Sequence, residues 1–271
     1  MTFPRLLLAG TAMLLLAAGG GAWWWLAGTA HEDILPTPPE RPRLVDSPDY
    51  ERCLQMVAED PEGARAMADR LAMEGVGEGS AHCAALALLT LGDAARAAEA
   101  LERIATRSQA GIRARAAVFG QAGEAWIAAG RPERAHAALS LAIALTPDDA
   151  DLLTERAIAS LALDRPGEAL ADAERVLAMD AARAEAWVLR ASAERRLDRV
   201  APAAESVGQA LRLEPENVEA LLERGILRQM RGDGTGARSD WERVIELAPD
   251  SVAADLAAQN MALMEAGPAR R

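Results

Sequence analysis

Cys53, Cys83 and His82 combine the most reactive side chains with the shortest spacing. The two cysteines are the only ones in the chain, 30 residues apart, and His82 adjoins the second. An imidazole activates a thiol only when a third group orients it, and no nearby residue is spaced for that role. His31 and His136 are remote, and none of the three histidines sits in an HExxH, CxxC or GxSxG arrangement. Three readings of the cysteines stand side by side: a structural disulfide, two buried thiols, or a redox- or metal-handling pair. An even cysteine count in an exported chain invites the disulfide. Loop entropy values such a bridge at about 3 kcal/mol.

Two other stretches imitate ligand loops. Gly232-Asp-Gly-Thr-Gly236 has the glycines of a phosphate cradle but no strand is predicted before it, which such a site needs. Pro147-Asp-Asp-Ala-Asp151 has the acids of a calcium loop without the remaining ligand spacing. Acids there suit the start of a helix instead. These patterns predict no catalytic residue, no cofactor and no metal, so the chain reads as non-enzymatic. With 41 acidic against 29 basic residues, net −12, a nucleic-acid partner is disfavoured. Basic or neutral partners suit that charge better.

The elements that carry these residues are set by a repeat. Apolar residues make up 51% of the chain but aromatics only 3%, so the apolar content is mostly Ala and Leu, which suits closely packed helices. Pro215 and Pro249 stand 34 residues apart, and Pro147 and Pro215 stand 68 apart, twice that interval. Cutting residues 116–251 at this phase gives four units: 116–149, 150–183, 184–217 and 218–251. Within them, position 8 is small (Gly123, Ala157, Ala191, Gly225) and position 20 is always Ala (Ala135, Ala169, Ala203, Ala237). Phe119, Leu153, Trp187 and Leu221 occupy position 4, while Leu139, Ala173, Val207 and Trp241 occupy position 24. Gly130, Asp164, Asp198 and Gly232 mark a turn at position 15. Small residues at 8 and 20 let two antiparallel helices cross closely, and larger ones fill the groove beside them. One such pair cannot bury its apolar face alone, so neighbours stack.

This pattern resembles the tetratricopeptide repeat (TPR). The resemblance implies an all-α fold, a right-handed α-α superhelix. Residues 49–111 read as two divergent helix pairs, with Ala97 and Leu101 at positions 20 and 24, and Gly75-Val-Gly-Glu-Gly79 separating the pairs. Extra residues between Arg107 and Ile112 break the phase and predict imperfect stacking there. Residues 252–266 read as a capping helix. Trp126, Trp187 and Trp241 are expected in the core. Arg156, Arg190 and Arg224 share position 7, and Asp172 and Asp240 share position 23. The first and last arginines are therefore placed to pair with an aspartate inside their own repeat.

In TPR proteins the first helices line a concave groove that holds extended peptides. The resemblance places Glu124, Ile127, Asp151, Thr154, Ile158, Glu185, Ser192, Arg195, Glu219, Leu222 and Ile226 on that face. The set is apolar and acidic and lacks a Lys/Asn carboxylate clamp. It therefore fits an extended protein segment with apolar side chains and a basic residue.

The N-terminal 30 residues read as a signal anchor. Residues 6–28 form an apolar run of bilayer-spanning length, with Arg5 before it and three tryptophans, Trp23 to Trp25, near its far end. Cleavage after residues 28–30, releasing a secreted module, is the alternative. Residues 31–48, with five prolines, read as a stiff linker. Tyr50, Cys53 and His82-Cys83-Ala-Ala-Leu also resemble exported alphaproteobacterial TPR proteins with a paired-Cys segment, and an all-arginine basic complement suits a GC-rich bacterial source. The combined expectation is a single-pass inner-membrane protein with a periplasmic TPR scaffold that supports assembly of an envelope complex. The alternative is a thiol-dependent redox or metal-handling envelope protein using Cys53 and Cys83.

Overall fold

The computed structural model describes residues 44–75 and 77–266. The predicted membrane segment at 6–28 and the linker up to residue 43 lie outside the described residues. None of the described helices is long and apolar enough to cross a membrane.

Among the described residues the chain is all helical, without strands. Four helices precede the regular units: α1 (Pro48–Glu59), α2 (Pro61–Met73), α3 (Gly77–Thr90) and α4 (Ala94–Arg107). Then come α5 (Ile112–Ala128) with α6 (Pro132–Leu145), and α7 (Ala150–Ala162) with α8 (Pro166–Met179). The rest are α9 (Ala184–Arg196) with α10 (Val200–Leu213), α11 (Val218–Met230) with α12 (Gly234–Leu247), and α13 (Val252–Ala266). This is a TPR-like solenoid of hairpins.

Local chemistry sets each hairpin. Proline opens α2, α6 and α8, where its missing N–H costs no helical hydrogen bond. Gly92, Gly130, Asp164, Asp198 and Gly232 all adopt positive φ between the two helices of a pair, so the turn demands a left-handed residue. Asp233 caps α12 by accepting from the Gly236 amide, which gives the glycine-rich stretch a structural role. Asp149 does the same for α7, accepting from the Asp151 and Leu152 amides.

Close crossing follows from the small residue at position 8. A Cβ on Gly123 would lie 2.5 Å from Leu139, and one on Gly225 would enter the Trp241 ring. Where position 8 is Ala157 or Ala191, the facing residue shrinks to Ala173 or Val207, all four essentially buried. A bare glycine thus meets a large side chain and an alanine a smaller one at each crossing.

In the N-terminal half the structure corrects three expectations. Pro48 is not part of a spacer but the first residue of α1. Gly77 and Gly79 lie inside α3 rather than in a separating loop, and the bare Cα of Gly79 lets the Tyr50 ring approach, leaving only 3.2 Å for an added Cβ. The phase break before α5 does not loosen the stack. It is absorbed as an extra N-terminal turn of α5, whose Arg115 donates to the Ala105 carbonyl at 3.0 Å. Leu101 and Ala105 of α4 share one buried cluster with Phe119, Ala122 and Trp126 of α5.

At the far end α13 lays Ala253, Ala254 and Ala257 against Leu221, Trp241 and Val244. It caps the last hairpin as a lone helix would. Trp126 and Trp241 are core residues, but Trp187 is only half-buried, with its indole N–H donated to the Ala181 carbonyl at 2.9 Å.

Candidate functional site

Successive odd-numbered helices pack on one another, α5 on α7, α7 on α9 and α9 on α11, and no comparable packing joins successive even-numbered helices. The odd helices therefore form the tighter, inner side of the stack. This is the candidate groove.

Glu124, Asp151, Glu185 and Glu219 are exposed on the odd helices, and Ile127, Ile158, Ser192, Leu222 and Ile226 are half-buried there. Two predicted groove residues are used internally. Thr154 is 5% exposed, and its hydroxyl donates to the Ala150 carbonyl at 2.9 Å, so it offers no surface. Arg195 is committed to Glu223: Nε donates to one carboxylate oxygen, and Nη2 reaches the other at 3.3 Å.

Glu155 is a further residue of this face. It is half-buried on α7 among Glu124, Asp151 and Glu185. Burial, and then repulsion from Glu124, Glu185 and Asp151, pushes its carboxyl up to about 7. Glu124 is also raised, by burial and then Asp151. Glu185 is raised by burial, opposed by Arg183 and reinforced by Glu219, Asp151 and Glu214. Glu155 holds repeat position 6, whose other occupants are Gln121, Leu189 and Glu223. Position 6 lies outside positions 2, 5, 9 and 12, which carry the predicted groove residues.

The position-7 arginines point into their hairpins. Arg156 holds Asp172 through two hydrogen bonds, of 2.7 and 2.8 Å, and Arg224 holds Asp240 through two of 2.6 and 2.9 Å. In the unit between, Ser206 replaces the aspartate. Arg190 instead reaches Glu194 at 3.0 Å, and Ser206 donates to the other oxygen of that carboxylate at 2.7 Å. These guanidinium groups are engaged by the scaffold's own carboxylates.

Cys53 on α1 and Cys83 on α3 form a disulfide, with Cα atoms 6.1 Å apart and no solvent exposure at either residue. His82 is also buried. Its Nε2 donates to Gln121 Oε1 at 2.6 Å, and its Nδ1 accepts from the Tyr50 hydroxyl at 2.6 Å. Burial lowers the imidazole below its ordinary value, with the Gln121 hydrogen bond opposing. Both ring nitrogens thus fasten α1 and α5 to α3, and neither is free to activate a thiol. Among the described residues no three His, Cys, Asp or Glu side chains converge as metal ligands.

No family model and no curated protein matches the chain. Solved structures do. A MamA chain (residue 41 to the end) from Desulfovibrio magneticus RS-1 is 22% identical over 62% of this chain and 93% of that one, with a TM-score of 0.53. YrrB, described as a TPR protein with an unusual peptide-binding site, is 16% identical over 68% of this chain and 91% of that one, at 0.50. A chain of the APC/C hetero-tetramer Cut9–Hcn1 gives 16% identity and a TM-score of 0.59, over 78% of this chain but 42% of that one. At these identities the likeness is one of fold.

Proposed function

We propose that the protein is a non-catalytic interaction scaffold whose odd-helix face holds an extended segment of a protein partner. The observation that carries this reading is the face itself. Ile127, Ile158, Leu222 and Ile226 are left half-exposed beside four exposed carboxylates, on a run of helices that the described chain does not cover. The fold it shares with YrrB supports the same use, since that protein carries a peptide-binding site. An extended segment satisfies such a face by laying alternate apolar side chains between the helices.

The proposed setting is the periplasmic side of a bacterial inner membrane, with residues 6–28 as the anchor and an envelope complex as the assembly served. Two features support it: the apolar run bounded by Arg5, and a disulfide, which persists in oxidising compartments. The thiol-chemistry alternative would need a reductant to reach two fully buried sulfurs.

The test is affinity purification of the full-length tagged chain after cross-linking in cells, beside a variant carrying Ile158→Arg and Ile226→Arg. Both side chains are half-buried at the edge of core clusters, so the variant's helicity and unfolding midpoint are checked first. A partner recovered by the parent and lost from the variant supports the scaffold. Equal recovery by both chains, or none by either, removes it.

A further inference from the structure

The seams between successive odd helices repeat one pairing with a separation of 28 residues, and the four units fill it in different ways. At the α9–α11 seam Arg195 meets Glu223, a carboxylate that is only 5% exposed. At the α7–α9 seam the same two repeat positions hold Leu161 and Leu189, which share one buried apolar cluster. Each of these seams is complete, one as an ion pair and the other as an apolar contact.

The α5–α7 seam is half of each. Its register-equivalent residues are Ile127 and Glu155, an apolar side chain where Arg195 stands and a carboxylate where Glu223 stands. Buried Asp172, Glu194, Glu223 and Asp240 all hold a guanidinium. Glu155 has no hydrogen bond or ion pair among the described residues, and its charged neighbours Glu124, Asp151 and Glu185 repel it. Arg183, which lies beside Glu185, is already paired with Asp151 and Asp180.

We infer that the partner segment delivers an arginine or lysine side chain to Glu155 at the α5–α7 seam, with apolar side chains on Ile127 and Ile158. This inference rests on the scaffold reading and supplies its chemistry. The incoming cation does for Glu155 what Arg195 does for Glu223. Local and net negative charge both attract it and disfavour an acidic tail. A metal ion is a poorer occupant, because no three ligating side chains converge among the described residues.

The test is selection of a displayed library of random 12-residue peptides on the full-length chain in detergent. Wild type is compared with Glu155→Gln and with Ile127→Arg, which supplies the missing guanidinium from within. The expected result is enrichment of peptides with an Arg or Lys at a fixed place between apolar residues. Their affinity should fall about tenfold or more on either variant, since an ion pair out of bulk water carries that much. Replacing the peptide's arginine by citrulline should cost the same, and that comparison leaves the protein untouched. Peptides blocked by Ile158→Arg but indifferent to Glu155→Gln and to citrulline would overturn the inference and leave the scaffold standing. Failure of the wild-type chain to enrich any peptide would overturn both.

Discussion

Arg156 grips Asp172 across the α7–α8 hairpin, and Arg224 grips Asp240 across α11–α12 in the same geometry two repeats later. The aspartates are about 2% and 3% exposed; Asp172 depends on Arg156 for its solvation, whereas Asp240 also accepts from Arg228 at 2.8 Å. Removing one partner leaves a buried charge without compensation. Arg156→Met should therefore lower stability by about 2–4 kcal/mol, read by urea denaturation. The double change Arg156→Met with Asp172→Leu should recover most of that loss. A single change costing under 0.5 kcal/mol would show that the pair is not buried in this way.

The crossing of α11 and α12 depends on the missing side chain at Gly225, because an added Cβ would enter the Trp241 ring. Gly225→Ala should destabilise by about 1–3 kcal/mol despite its better helix propensity. Adding Trp241→Val should relieve the strain, since Ala191 already faces Val207 in the α9–α10 hairpin. The thermal midpoints of the two variants decide this. A neutral or stabilising Gly225→Ala would mean that the helices have room to separate.

Much of this was legible in the sequence. The prolines gave the period, position 15 gave the left-handed turns, and positions 7 and 23 gave the two Arg–Asp pairs. Those are short-range rules in which residue type alone decides the local backbone or its hairpin partner. The Arg195–Glu223 bridge and the half-filled seam at Glu155 were not legible, because they join different repeats and depend on which helix faces pack. Thr154 shows the same limit from the other side. A groove position by register, it turns its hydroxyl back to its own helix.

Glu155 makes stability depend on pH. Its carboxyl lies near 7 in the folded chain against an ordinary value of 4.5, so between these values the folded state holds more protons than the unfolded one. Stability is therefore highest below about 4.5 with respect to this group and is lost as pH rises through 7. Glu155→Gln should remove the loss, stabilising at pH 8 by about 1 kcal/mol after allowance for the solvent that reaches the group. At pH 4 it should change little. Measuring the midpoint of unfolding for both chains at the two values checks the sign. A variant that is less stable at pH 8 would contradict the placement of Glu155.

The disulfide ties α1 to α3 across 30 residues. By loop entropy Cys53→Ser with Cys83→Ser should cost about 3–4 kcal/mol. Protection of α1 amides against hydrogen exchange should fall before that of α5 to α12, since among the described helices α1 packs chiefly on α2 and α3. In the folded oxidised chain the bridge should resist a millimolar dithiol for as long as the fold persists. Rapid reduction without unfolding would revive the thiol-chemistry alternative.

The odd-helix face, and not the even-helix face, is the one proposed to hold the partner. A photo-reactive amino acid placed at Glu185, exposed on α9, and separately at Leu141, 53% exposed on α6, tests it in cells. A discrete cross-linked species should form from Glu185 and disappear when Ile158→Arg is added, with none from Leu141. The same species from both positions, or one from Leu141 alone, would contradict it.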